Sequence, residues 1–389
     1  MYTKKLLILF ICSLLFVNTR AQETETPAAV DLHSLSLYNS VQWKSLMIYG
    51  REKISSGIDF PLLRMRTGYA AFMLGNYSQS LLQYEKVLDA EPDNSIALYY
   101  VYLDNLYLNN ITAARYYATK LPAKTQAEQK INKIKLSAIE AEFSYKMPSD
   151  TFRQNAQYFR FGLNVQLGYR LELQQSAAFF NQMINEPRLS PVIVNRQRVD
   201  IREKQYYAKL IFAATGKLSL IGGFHYVSTP FNNVVYNNTI VFGGIKYATP
   251  FVHLRAMANF GNISDSSFNQ YDVTITVYPM GNTKLYSITR AAYGDNFTVL
   301  QVIGYGITKN IWLEGNITLG KFNNLLENDA LYVFNDIDQK QFKVGGSVYA
   351  LLSKKVLLSL NYTFEQKLRY KTQITFHQNS INGGVSWKF

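Results

Sequence analysis

The chain has 389 residues, 29 tyrosines and 24 phenylalanines, only 17% charged residues, and a formal net charge of +13. That length suggests two or three domains. After the N-terminal stretch no run of roughly 18 apolar residues occurs, which excludes a conventional spanning helix but not a barrel, whose apolar residues alternate with polar ones.

The first residues, MYTKKLLILFICSLLFVNTRAQ, have a basic start (Lys4, Lys5), an apolar core from Leu6 to Val17, and a small-x-small site at Thr19, Arg20 and Ala21. This is the pattern of an export signal, expected to span 1–21. The only cysteine, Cys12, lies inside it, so the mature chain is expected to hold no thiol, disulfide or cysteine metal site. Residues 22–30 are polar, carry Pro27, and read as a flexible leader.

From 31 to 147 the apolar period is helical, with helices expected near 32–55, 61–74, 78–90, 95–109, 111–120 and 124–146. Leu81, Tyr84, Val87 and Leu88 share one face, and Pro92 ends that helix. The segment resembles a tetratricopeptide repeat (TPR): Gly68, Gly75, Tyr77, Tyr84 and Pro92 fall at the family's spacing, and Ser80 stands where a small residue packs between helices. The next unit fits less well, since no glycine precedes Ile111. A generic helical bundle is the alternative, and His33 reads as a surface residue.

Beyond Pro148 the period becomes two. In FRFGLNVQLGYRLEL (159–173), Phe161, Leu163, Val165, Leu167, Tyr169, Leu171 and Leu173 alternate with polar residues or glycine. Similar stretches lie near 203–215, 217–228, 237–248, 250–261, 268–279, 283–293, 296–308, 310–322, 340–352, 355–367 and 377–389. The fold class is therefore α+β multidomain: TPR-like helical hairpins, then an antiparallel transmembrane barrel over 158–389 of about twelve strands. Short turns near 215–217, 249–250, 281–282, 309–310 and 353–355 alternate with longer connections near 176–202, 229–236, 262–267, 323–339 and 368–376. That asymmetry puts the long loops outside the cell and the helical domain in the periplasm. The chain stops on SINGGVSWKF, where Trp387 and Phe389 resemble the C-terminal signal read by the barrel-insertion machinery.

The alternation sorts the faces. Leu210, Phe212, Tyr247, Val273, Ile275, Leu313, Ile317, Val344, Leu358, Leu360 and Tyr362 should face lipid. Arg170, Glu172, Arg255, Asp272, Arg290, Glu314 and Glu365 should face the lumen, because an unpaired Arg or Lys facing lipid costs about 2–4 kcal/mol at the midplane. Arg196, Arg198, Arg202 and Lys204 form a basic cluster in the first long loop, suited to lipopolysaccharide phosphates or to plain solvation. His225, His253 and His377 lie on separate strands or a loop without a GxSxG elbow, so a membrane-embedded hydrolase is the weakest reading. No catalytic, metal or cofactor site is read, and an exported chain is not expected to meet nucleic acid.

The order of signal, TPR-like helices, barrel and terminal aromatic resembles the YaiO-type outer-membrane proteins and, more distantly, the helical-repeat-plus-barrel exporters of exopolysaccharide. The resemblance implies a periplasmic protein-docking domain tethered to a barrel and carries over no functional residue. Two functions stay open. One is an envelope scaffold in outer-membrane lipid whose helices bind an unknown periplasmic protein. The other is a narrow, anion-preferring pore or export channel for a solute or exopolysaccharide.

Overall fold

The computed structural model describes residues 25–131, 134–187, 196–231, 234–263, 266–370 and 372–389. The expected signal peptide, Cys12 and the start of the leader lie outside the described residues.

The helices begin earlier than the leader allowed. Helix α1 runs Pro27–Asn39, with Thr26 as its cap accepting from the Ala29 N–H at 3.3 Å. Proline at the first helical position is pre-set for the helix, so the residue that suggested a leader starts α1 instead. The helix expected over 32–55 is broken at Val41, whose φ is 58°, and α2 follows as Trp43–Ser55. Then come α3 (Pro61–Met73), α4 (Tyr77–Ala90), α5 (Ser95–Tyr107), α6 (Ile111–Ala118) and the short α7 (Ala123–Glu128). Asn76 and Asn94 cap α4 and α5 through side-chain oxygens. Gly68 lets Tyr84 of α4 lie against α3; a Cβ there would meet the ring at 3.0 Å. Around Tyr84 the core gathers Val87, Leu98, Val101 and Tyr117, each such burial stabilising by about 1.5–3 kcal/mol.

Fourteen strands follow, each pairing antiparallel with the next, and the last returns to the first to close a barrel. They are β1 (Lys135–Pro148), β2 (Ala156–Gln166), β3 (Leu171–Pro187), β4 (Arg196–Ala213), β5 (Leu218–Phe231), β6 (Val234–Ala248) and β7 (Val252–Ile263). The second half is β8 (Ser266–Val277), β9 (Leu285–Tyr293), β10 (Phe297–Gly306), β11 (Ile311–Glu327), β12 (Tyr332–Leu351), β13 (Val356–Leu368) and β14 (Thr375–Lys388).

The expectation of about twelve strands is thereby corrected to fourteen, for two reasons. The last helix is expected to run to 146, which puts the end of the helical part at 147 and the start of the barrel at 158. The helices instead end at Glu128, and β1 pairs with β14 through Ile139↔Trp387 and Phe143↔Gly383. The alternation over 160–173 also looked like one strand but holds the end of β2, a turn at 167–170, and the start of β3. Antiparallel partners share a face, and Gln166↔Glu172 differ by an even number. The parity therefore runs unbroken through the turn and conceals it.

The lipid face is as the alternation predicts. Val273 is 52% exposed and Leu360 56%, and Leu210, Phe212, Tyr247, Ile275, Leu313, Ile317, Val344, Leu358 and Tyr362 are exposed with them. Such a belt of exposed apolar side chains, on a closed barrel with polar groups inside, belongs in a bilayer. The long connections are shorter than expected, because β3 and β4 extend to Pro187 and back from Arg196, and β11 and β12 reach into 323–339.

Candidate functional site

A fourteen-stranded barrel encloses more space than its own inward side chains fill, so what occupies the lumen decides what it does. The β11–β12 connection, expected as an outer loop, turns into the lumen. The turn starts at Gly320, where φ is +117° and a Cβ would meet the Phe297 carbonyl oxygen at 2.5 Å. Beside it the pairing with β12 slips twice, between Leu319 and Phe322 and between Phe322 and Asn324. Such an irregularity bends a strand out of its ladder. The tip is tight: Asn328, Asp329 and Ala330 all have left-handed φ, at 53°, 58° and 59°. Three such residues in succession cost about 1–3 kcal/mol each.

Contacts along the far wall hold that strain. Leu326 and Ala330 are buried against inward residues of β4 to β8: Tyr207, Ile221, Ile240, Phe242, Met257 and Phe268. The Asp329 carboxylate accepts from Lys209 at 3.0 Å and forms an ion pair with Arg255 at 2.8 Å, and the Asp329 carbonyl accepts from the Tyr207 hydroxyl at 3.1 Å. His225 Nδ1 donates to the Ala330 carbonyl at 2.6 Å. Arg290 bonds both oxygens of Asp272, at 3.1 and 3.0 Å, and donates to the Leu326 carbonyl at 2.6 Å. Gln270 donates to the same carbonyl at 3.0 Å. The structure thus brings three expected lumen residues, Arg255, Asp272 and Arg290, together around a hairpin that was not expected there.

The other half of the lumen is open. A cavity of about 520 Å³ lies between the hairpin and the walls of β1 to β4 and β10 to β14. Expected residues Glu314 and Glu365 line it. Its charged lining is Glu140, Glu142, Glu203, Glu314, Glu327 and Glu365 against Lys146, Arg160 and Lys343. The carboxylates outnumber the cations two to one, opposite in sign to the expected anion preference. Several of these charges pair: Arg160 with Glu140 and Glu142, each at 3.0 Å, and Lys343 with Glu327 at 2.9 Å.

Ion pairs also seal the long-loop end. Arg153 meets Asp338 at 2.8 and 2.9 Å, Arg369 bonds both oxygens of Asp150, and Lys367 meets Asp336 at 2.6 Å. Arg153, Asp338, Asp150, Lys340, Lys367 and Glu365 are all buried. At the opposite end the cavity runs down to Leu357 and Ser386, both only partly buried. This is the short-turn side of the barrel.

The helical part sits at that side, against the turns from β2 to β9. The Ser78 N–H donates to the Gly281 carbonyl at 2.9 Å, and its hydroxyl donates to the Pro250 carbonyl. Asn282 donates to the Gly75 carbonyl at 2.9 Å, and Lys246 to Asn110 at 3.0 Å. Lys217 pairs with Glu85 at 2.9 Å, while burial pushes that carboxyl above its usual range against the pull of the lysine.

Two expected lumen residues belong to this mouth instead. Glu172 is paired with Arg115 of α6. Arg170 lies in the β2–β3 turn, donates to the carbonyls of Ala213 and Ala214, and stacks on Tyr116 and Phe212. The basic cluster is corrected too. Arg196, Arg198, Arg202 and Lys204 lie on strand β4, not in a loop. Arg198, Arg202 and Lys204 are exposed on its outward face, with Arg202 paired to Asp200 at 2.6 Å. Trp387 pairs with Ile139 in the strand that closes the barrel, and the Phe389 N–H donates to the Ser137 carbonyl at 3.2 Å.

Sequence reasoning missed Asp329, Glu327, Glu203, Glu140 and Glu142. One signal was available. Ile221, Ile240, Phe242 and Met257 carry inward parity yet are apolar, which a watery lumen does not explain and a packed hairpin does.

Closed barrel, lipid belt and polar interior define the class: this is a protein of outer-membrane β-barrel fold with an N-terminal helical part. No family model matches the chain, and no curated protein matches it. Solved structures do resemble it. The Acinetobacter baumannii outer membrane protein Omp33 is 6% identical, covering 65% of this chain and 99% of that one, with a TM-score of 0.39. A Pseudomonas aeruginosa FadL homologue is 10% identical over 74% and 94%, TM-score 0.47. The P. putida toluene transporter TodX is 11% identical over 66% and 90%, TM-score 0.41. The likeness is one of fold alone.

Proposed function

We propose that the barrel is a closed anchor in the outer membrane and that the helical part, on its periplasmic side, docks a partner protein, making the chain an envelope scaffold. The observation that carries this is the in-folded hairpin, locked by Asp329 to Lys209 and Arg255. A wall that spends its inward apolar residues on its own chain is built to stay shut. Sealing ion pairs at the long-loop end act in the same direction.

The docking half rests on an aromatic row. Tyr38 of α1, Tyr69 of α3 and Tyr100 of α5 follow one another at 5.3 and 5.6 Å, and Phe72 joins Tyr100 to Tyr107 at 5.1 and 5.8 Å. Alternate helices thus share one face, and Tyr107 is 50% exposed. Rings of this kind supply most hot spots of protein interfaces. The order of helical hairpins and barrel supports the resemblance to YaiO-type proteins. In the same reading Arg198, Arg202 and Lys204 meet lipopolysaccharide phosphates at the outer rim, and β14 is the strand that the insertion machinery handles.

Two measurements test it. Purified full-length protein in planar bilayers should show no lasting open state; a steady conductance would overturn the closed anchor. A photocrosslinking residue in place of Tyr107 should trap one discrete protein in whole cells, whereas one in place of Asp200 should not. Equal trapping at both positions would sink the docking face.

A further inference from the structure

The two ends of the barrel differ in charge. The short turns at 167–170, 214–217, 249–251, 278–284, 307–310 and 352–355 carry Arg170, Lys217, Lys284, Lys309, Lys354 and Lys355 and hold no Asp or Glu. Lys388 ends β14 at the same rim. The long-loop end instead mixes signs, as in Arg369 with Asp150 and Arg153 with Asp338.

The helical part answers some of these cations. Arg170 lies over the Tyr116 ring and Lys217 pairs with Glu85, so the protein's own chain covers that part of the rim. Lys309, Lys354, Lys355 and Lys388 belong to the turns and end of β10 to β14. All four are exposed, and among the described residues no ion pair within 4.0 Å engages any of them. The backbone draws their segments together. The Leu351 N–H donates to the Asn310 carbonyl and the Lys388 N–H to the Lys355 carbonyl, both at 2.7 Å. Such an uncompensated cluster sets up a positive potential that attracts anions.

A second observation says which anion. Apolar side chains stand directly beside these lysines: Ile307 and Leu352 in the same turns, and Trp387 and Phe389 on either side of Lys388, each at least 50% exposed. Trp387 pairs in register with Val356, next to Lys355. Further along the rim, Lys284 lies 5.8 Å from the ring of the exposed Tyr305. Aromatic rings beside lysines mark the level where acyl chains give way to headgroups. An occupant that satisfies both sets of residues carries negative charge and hydrocarbon in one molecule.

We propose that this arc of the rim binds anionic glycerophospholipid from the leaflet on the short-turn side. The headgroup phosphate meets Lys309, Lys354, Lys355 and Lys388, and the acyl chains run along Ile307, Leu352 and Trp387 toward the lipid belt. A soluble anion meets the lysines alone and leaves the apolar residues without a role. This inference rests on the barrel's seat in a bilayer and not on the docking role.

The test is native mass spectrometry of the full-length protein released from detergent, offered phosphatidylglycerol and phosphatidylcholine with the same chains in equal amounts. Phosphatidylglycerol should be retained about a hundredfold over phosphatidylcholine, since each lysine near such a headgroup contributes about fivefold. Lys354→Gln and Lys355→Gln together should cut that ratio about tenfold to thirtyfold. Lys86→Gln, on the exposed face of α4, should leave it unchanged. Equal retention of the two lipids, or an unchanged ratio in the double variant, would overturn the site. So would glycerol 3-phosphate, which has the charge without the chains, binding as tightly as the lipid. If the double variant fails to show heat-modifiable migration, Lys309→Gln alone decides, with an expected loss of about fivefold.

Discussion

Asp329, at the tip of the β11–β12 hairpin, lies 2.8 Å from Arg255 on β7, across the lumen from the strands that carry it. Lys209 on β4 reaches the same carboxylate at 3.0 Å. One side chain therefore ties the plug to two places on the far wall. Asp329 and Lys209 are held away from bulk water and Arg255 partly so; breaking a buried pair by removing one partner costs about 3–5 kcal/mol.

Asp329→Ala should therefore loosen the plug. It leaves two cations facing each other and removes the charge that ties the strained tip to the far wall. The expected result is flickering conductance in planar bilayers where the parent is silent. A mutant as silent as the parent would show that apolar packing of Leu326 and Ala330 alone keeps the hairpin in place.

Gly320→Val should interfere with the inward bend. Its φ of +117° is strained for valine, and the added Cβ would meet the Phe297 carbonyl. The cost is about 1–3 kcal/mol. Limited proteolysis of the folded protein should cut between 320 and 340 in the variant and spare the parent. Equal resistance would mean that the bend is set elsewhere.

Gly281→Val should undock the helices from the barrel. Gly281 has a φ of +66°, and a Cβ there would collide with the Asn76 side chain that caps α4. The Ser78 bond to the Gly281 carbonyl would be lost with it. A protease site engineered into 130–134 should be cleaved faster in the variant, with the barrel still heat-modifiable. Unchanged cleavage would assign the docking to Lys217–Glu85 and the other mouth contacts.

Asp104, fully buried in α5 beside the Ser80 hydroxyl, makes the helical part pH-sensitive. Burial pushes its carboxyl well above the usual value of 3.8. The folded state thus keeps a proton that the unfolded state has released. The stability this gives is complete below pH 3.8 and is lost as pH rises toward the raised value. Asp104→Asn should remove the dependence and gain about 1 kcal/mol at pH 8, a rise of about 4–8 °C in the helical melt followed by circular dichroism. A parent melt that rises with pH would refute the sign.

Much of this was legible in the chain. Exposed Val273, Ile275, Leu358 and Leu360 follow from alternation alone, because strand side chains point to opposite faces whatever their partner. The core of Leu81, Tyr84 and Val87 follows from helical spacing in the same way. β1 was harder to see. Its residues, KLSAIEAEFSYKMP, are rich in Lys, Glu and Ala, which favour helix locally, and only the bond ladder to β14 makes them a strand.

The site divides along the same line. That Asp272, Arg290, Glu314 and Glu365 face inward was fixed by parity, a local property. Which of them meet was not. Arg255 finds Asp329, and Arg170 finds two carbonyls in a turn, because partners far apart in sequence are chosen by the folded backbone. By itself the sequence determined a lipid-facing barrel with helices ahead of it, since one-dimensional periods carry that information. Only the tertiary structure decided that strands numbered fourteen, that residues 320–340 fold inward, and that the remaining cavity is acidic, because strand closure and lumen filling depend on contacts no local period encodes.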